Sequence, residues 1–300
     1  METMKNCRLC PRKCGADRAA GQKGICRAGE PLRVARAALH FWEEPCISGT
    51  GGSGTVFFSG CPLHCVFCQN GEISGGQAGA EIPPERLVRI FWELAEKGAH
   101  NINLVTPTHY APQIAQAIRT AKKEGFGLPF VYNCGGYEGD ALSYVDGLIG
   151  VYLTDFKYFD PGIAGRYSGA ADYPAEAKKS LAEMARRAGE PRFDKDGMML
   201  RGVIVRVLLL PGCLDDAKNV VRYVYETYGG GVYLSLMSQY TPVHPERLPA
   251  ELARSVKPEE YGALVEYAVD LGVENGFLQE GEAASESFIP PFDLTGVLHP

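Results

Sequence analysis

Six short apolar runs, separated by amphipathic stretches, constrain this chain more than any other feature. They are "GTVFFSG" (54–60), "HNINLV" (100–105), "LPFVYN" (128–133), "GVYLTDF" (150–156), "GVIVRVLLL" (202–210) and "GVYLSLM" (231–237). Each is short and nearly continuous in its hydrophobicity, as a buried strand is. Between them the grammar is helical. "PPERLVRIFWELAEKG" (83–98) opens on Pro, carries an apolar stripe and ends on Gly, and "PQIAQAIRTAKKEG" (112–125) repeats the pattern. Residues 175–190, 215–229 and 257–272 follow suit. Strands that alternate with helices pair in parallel, and strands apolar on both faces need cover on both sides. A doubly wound open sheet and a barrel-like (β/α) sheet both satisfy this string. In either, ligands gather at the C-terminal ends of the strands. The polar segments at those ends are "GCPLHCVFCQN", "TPTHY", "NCGGYE", "DFKYFD", "PGC" and "SQYTP".

The 300 residues, 45% hydrophobic, suffice for one large core with a small appendage. A net charge of −6 argues against a broad nucleic-acid surface, which shows as a basic excess. No run reaches the roughly 20 apolar residues that span a bilayer, so no membrane partner is expected. The start, "METMKNCRLCPRKC", lacks the apolar stretch of a signal peptide. The expected location is therefore the cytoplasm. Thiols stay reduced there, so the ten cysteines read as metal ligands or reactive groups, not as a disulfide framework.

The cysteines fall into two groups. Cys7, Cys10, Cys14 and Cys26 lie in a polar, basic, Gly-rich start with too little apolar material for a core of its own. A bound metal would substitute for that core. Cys61, Cys65 and Cys68 follow the first strand as C-x3-C-x2-C. Cys46, Cys134 and Cys213 stand apart and read as small buried hydrophobes. This divides the chain into a Cys-rich N-terminal extension (1–48), a strand–helix core (49–272) and an aromatic, Pro-rich closing segment (273–300).

Thiolates select zinc or iron–sulfur clusters. Zinc on Cys61, Cys65 and Cys68 needs a fourth ligand, and His64 inside the loop is a candidate. Iron–sulfur cubes ordinarily take four cysteines. A cube on three leaves one iron open to a substrate or cofactor. C-x3-C-x2-C after the first strand of a (β/α)6 pattern resembles the radical S-adenosylmethionine (SAM) superfamily. The resemblance implies an α/β fold, a partial (β/α)6 TIM-type barrel, with a 4Fe-4S cluster on Cys61, Cys65 and Cys68. It implies SAM bound through its amino and carboxylate groups to the open iron. One electron then cleaves it to methionine and a 5′-deoxyadenosyl radical, which abstracts hydrogen from a substrate. This chemistry belongs to the cofactor, and the protein positions and shields it.

Further positions follow from the resemblance. Phe67 stands where the superfamily has an aromatic residue near adenine; the alternative is a core aromatic. The usual glycine–glycine–acid motif after the second strand is absent. Thr106, Thr108 and His109 are the candidates there for the methionine amine, and no carboxylate is available. Asn133 stands where a polar residue approaches methionine or ribose. "TDFKYFD" resembles the Asp-x-Lys motif of glycyl-radical activating enzymes. Asp155 and Lys157 read equally as a SAM-contacting pair and as a plain ion pair at a strand end. Arg206, inside an apolar run, must be paired when buried, with a SAM carboxylate or Asp155 as the expected partner. Gln239, after the sixth strand, is a weaker candidate for a cofactor contact.

Over nearly the whole chain the pattern resembles the pyruvate formate-lyase activating enzyme-like branch. The carrying residues are "CxxCPRxCGxxR…GxxGxC", "SGCPLHCVFCQN", "PTHY", "YNCGGYE", "TDFKY" and "FIPPFDLTGV". The resemblance implies an oxidoreductase-type activase whose substrate is a glycine of a partner protein, but fold does not fix substrate. Another peptide, a nucleotide, a small metabolite, or no catalysis on a zinc-binding scaffold are the alternatives. The implied partners are an external flavodoxin- or ferredoxin-like reductant and a protein substrate. Cys7, Cys10, Cys14 and Cys26, spaced C-x2-C-x3-C-x11-C, suffice to close a site holding zinc or an auxiliary iron–sulfur cluster. A closed site has no open position, so its expected role is structural, docking or electron relay.

Overall fold

The computed structural model describes residues 2–278 and 289–298. Ten strands occur among them: β1 (Leu32–His40), β2 (Ser53–Phe58), β3 (Ala80–Ile82), β4 (Ile102–Val105), β5 (Phe130–Cys134), β6 (Val151–Asp155), β7 (Arg192–Phe193), β8 (Met199–Leu208), β9 (Tyr233–Met237) and β10 (Gly276–Leu278). The sheet runs β10-β9-β8-β6-β5-β4-β2-β1-β3, with β7 beside β8. From β2 to β10 along this order every neighbour is parallel. β1 is antiparallel to both β2 and β3. The edges β3 and β10 do not meet, so the sheet is open: a partial barrel.

All six strands expected from the apolar runs are present, their ends shifted by up to three residues. The five expected helices are Pro84–Glu96, Ala111–Lys123, Tyr173–Ala188, Leu214–Tyr228 and Pro258–Leu271. The sheet starts earlier than the 49–272 core read from the sequence, because Leu32–His40 is already a strand within it. The closing segment also contributes: Gly276–Leu278 adds a strand, and Leu294 and Thr295 bond to Ala35 and Ala37 of β1. Residues 279–288 and 299–300 of that segment lie outside the described residues.

Alternate residues of each strand face opposite sides. One side meets the helices: Val203, Val205 and Val207 join a core with Val220, Val221 and Leu264, and Ile102 and Leu104 join one with Phe91 and Ile114. The other side changes character along the strand. At its start it is apolar, with Val131, Val151, Leu153 and Ile204 packed on Cys46 and Ile47. Further along it turns polar at Asn133, Asp155 and Arg206. The short helix Pro45–Ser48 therefore fills the interior of the open barrel, and Asn101 Nδ2 donates to the Ile47 carbonyl at 2.7 Å to hold it there. Above this plug the interior becomes a cavity.

Candidate active site at the strand ends

Cys61, Cys65 and Cys68 all line the cavity above the plug. Their loop leaves β2 through Gly60, whose φ is +96° and where a Cβ would lie 2.5 Å from the Cys26 carbonyl oxygen, so no other residue fits. The Gly60 N–H donates to the Ile73 carbonyl at 2.7 Å, and the Cys61 N–H to that of Cys26 at 3.1 Å. Farther on, Val66 N–H reaches the Tyr167 carbonyl at 2.9 Å. The Cys65 sulfur accepts a hydrogen bond from Ser168 Oγ at 2.9 Å, and the Ser168 and Tyr158 hydroxyls lie 2.7 Å apart.

Burial pushes the Cys61 thiol up to about 12, and nearby Cys65 and Cys68 add to the rise. Cys68 is raised in the same way. Three thiols that oppose each other's ionisation are what a cationic centre relieves, since a metal deprotonates the thiols it binds. The donor set therefore fits an iron–sulfur cluster. His64 does not complete a zinc site: it is absent from the cavity wall, and its Nε2 sits 2.7 Å from the Ile25 carbonyl. Among the described residues, no three His, Cys, Asp or Glu side chains are grouped to hold a metal ion as they stand.

The remaining wall comes from the ends of the other strands. Thr106, after β4, has φ +56°, a strained backbone for a β-branched residue. Thr108 Oγ1 donates at 2.7 Å to Glu138, and Tyr132 OH to the same oxygen at 2.9 Å. Glu138 is buried at the cavity wall; burial raises its carboxyl, and these hydrogen bonds oppose the rise. Asn133 and Gln239 also face the cavity. Lys157 Nζ lies 2.5 Å from Asp155 Oδ2. Burial works against the Lys157 charge, but Asp155 and Cys65 outweigh it and hold the ammonium above its ordinary range. Phe67 lines the cavity while packing edge-on against Tyr158 and Tyr240, with centroids 6.3 and 6.1 Å away.

Two expectations need correction. Arg206 lines the cavity, but its partners are carboxylates other than Asp155. Its Nε and Nη2 grip Glu44 at 2.8 and 2.7 Å, and Nη2 also binds Glu43. Burial opposes ionisation of Glu44, and Arg206 outweighs it and lowers the carboxyl. The chain just before the plug thus supplies the counter-charges, and Asn103 Nδ2 braces Glu43 at 2.8 Å. His109 is the second. It does not line the cavity; it is buried behind it, with Nε2 2.8 Å from the Ser59 carbonyl. Burial drives it down to about 3, so the ring is neutral. The other proposed cofactor contacts, Arg206 among them, share the one cavity with the three cysteines.

Glu43, Glu138, Ser168 and Tyr158 were not among the residues expected at the site. Glu138 ends the quoted segment "YNCGGYE" and is the carboxylate missing after β4. Ser168 ends a short helix, Pro161–Ser168, capped by Asp160 accepting from the Ile163 N–H and by Gly169 in the left-handed conformation.

The N-terminal cysteines sit against this loop. Cys7, Cys10 and Cys26 are buried and Cys14 is half-buried. Burial pushes Cys10 up to about 12, with Cys26, Cys7 and Cys14 each raising it further. None of the four lines the cavity.

Residues 55–202 match the family model of the radical SAM superfamily. That superfamily implies a 4Fe-4S cluster and SAM. A protein of Methanocaldococcus jannaschii, "Uncharacterized protein MJ0674", is 27% identical over 275 residues, 88% of this chain and 74% of the relative. Among solved structures, Streptococcus suis SuiB bound to precursor peptide SuiA superposes with a TM-score of 0.51 at 12% identity, covering 74% of this chain and 46% of SuiB. The FeFe-hydrogenase maturase HydG of Carboxydothermus hydrogenoformans gives 0.51 at 11% identity, covering 76% and 54%. These structures share the fold, and this chain spans about half their length.

Proposed function

We propose that this chain is a radical SAM enzyme whose cluster sits on Cys61, Cys65 and Cys68. When bound there, cluster and SAM together supply a 5′-deoxyadenosyl radical that takes hydrogen from a substrate. The observation that carries this reading is one cavity holding the three thiols beside paired acceptors and donors. An amino acid end needs acceptors for its ammonium and a donor for its carboxylate. Glu138, Thr106 and Thr108 supply acceptors to the cavity wall, and Lys157 in the same wall supplies a donor. Phe67 and Tyr240 give the wall an apolar face for a purine. Plugged below by Cys46 and Ile47, the interior keeps water from approaching a radical from beneath.

The substrate is read as a glycine in a partner protein, on the likeness of "TDFKY" and "YNCGGYE" to activating enzymes. Trp42, 60% exposed, stands in the cavity wall and suits a bulky partner. The electron would come from a flavodoxin- or ferredoxin-like carrier of the cytoplasm. Cys7, Cys10, Cys14 and Cys26 are read as a closed centre for zinc or a second cluster. The test is anaerobic reconstitution with iron and sulfide, then SAM and dithionite, following 5′-deoxyadenosine beside Cys65→Ala. Formation in the native protein alone supports the reading; zinc at both thiol groups and no cleavage overturns it.

A further inference from the structure

The N-terminal thiols and the cluster loop are joined by direct contacts. The Cys26 carbonyl accepts the Cys61 N–H at 3.1 Å, and the Ile25 carbonyl lies 2.7 Å from His64 Nε2. Arg12, between Cys10 and Cys14, donates from Nε to the Pro62 carbonyl at 2.8 Å. Its other nitrogens reach the Ser168 carbonyl at 2.9 Å and that of Gly169 at 2.6 Å. One guanidinium therefore ties the cluster loop to the residue whose hydroxyl bonds the Cys65 sulfur. Every one of these contacts comes from a thiol-bearing residue or one within two positions of it.

The segment making them has little to order itself. Apart from its cysteines, Met4, Leu9 and Ala28 are its buried apolar side chains, while Lys5, Arg8, Lys13, Lys23 and Arg27 are exposed. So small a core does not fix a loop-rich segment without a staple. The thiols are the staple material available, and metal binding by thiolates can supply the folding energy that such a segment lacks. A Cβ added at Gly24 would lie 3.2 Å from the Cys14 sulfur and 3.4 Å from the Cys26 sulfur, so these two thiols flank one glycine.

We propose that Cys7, Cys10, Cys14 and Cys26 bind a thiophilic metal centre, zinc or iron–sulfur, whose occupancy sets the shape of the cluster loop. The inference rests on the reading of Cys61, Cys65 and Cys68 as cluster ligands. An empty N-terminal centre releases Arg12 and the Cys26 carbonyl, and the loop loses its outer supports. Supports of this kind, one step removed from the ligands, commonly govern how tightly a metal is held.

Three variants of the full chain test this under anaerobic conditions. The triple variant Cys61→Ala, Cys65→Ala, Cys68→Ala isolates the N-terminal centre for zinc, iron and sulfide analysis, which also distinguishes its two possible occupants. Cys10→Ser with Cys14→Ser removes that centre. Arg12→Gln leaves all thiols in place, and its far-UV circular dichroism checks folding. The triple variant is expected to retain metal. The double variant is expected to lose it, to exchange its amides at 61–69 faster, and to release loop iron to a chelator roughly tenfold faster. Arg12→Gln is expected to keep the N-terminal metal yet also release loop iron faster. A triple variant with neither zinc nor iron, or a double variant with unchanged exchange and release, overturns the proposal. If the wild-type loop takes up no iron, the cluster reading fails separately, and the exchange measurement still decides whether the N-terminal centre shapes the loop.

Discussion

The two cysteine groups touch through one peptide hydrogen bond, yet they face different surroundings. Cys61, Cys65 and Cys68 open onto a cavity walled by strand ends, while Cys7, Cys10, Cys14 and Cys26 are enclosed by their own turns and the back of the cluster loop. The open group has three thiols and leaves a place for something else; the closed group has four and leaves none. On the proposed reading, thiol count and surroundings agree at both, the open group for chemistry and the closed one for architecture.

Removing one thiol from the open group should have the largest effect. Cys65→Ala is expected to reduce 5′-deoxyadenosine to background while metal at the N-terminal four persists; loss of both would erase the distinction between the groups. Next is the charge beneath the cavity. Arg206→Met leaves Glu43 and Glu44 buried without their partner, and urea unfolding should show a loss of about 3–5 kcal/mol. The exposed cations around the closed group should matter far less: Arg8→Ala is expected to stay within about 0.5 kcal/mol. Glu138→Gln should weaken SAM binding by equilibrium dialysis roughly tenfold or more, the scale of a hydrogen bond to a charged group at about 1.5–3 kcal/mol. The smallest effect is electronic. Ser168→Ala removes the donor to the Cys65 sulfur, so the open group's midpoint potential should move to more negative values in an EPR-monitored titration, with the closed group unmoved.

Much of this was legible in the chain. Apolar runs at regular intervals gave the parallel strands, and the cysteine triplet fell on the strand-end face because that face follows from strand order. Asn133, Asp155 and Lys157 were found for the same reason. What escaped were contacts between distant segments. Arg206 clearly needed a partner, but Glu43 and Glu44 lie more than 160 positions away, on an arm whose course inside the barrel no local pattern records. His109 looked like a strand-end ligand, yet it turns into the packing behind the loop to meet the Ser59 carbonyl. Ser168 was hidden in an eight-residue helix, too short for its apolar stripe to register.

The plug at Pro45–Ser48 has a kinetic consequence. With the lower half of the barrel filled, the cavity lies above the plug, and Trp42 and Pro290 stand in its wall. A large partner covering them would seal in whatever already occupied the depth behind it. On the proposed reading, a small molecule would then load before a large partner, and spent fragments would leave after the partner steps away.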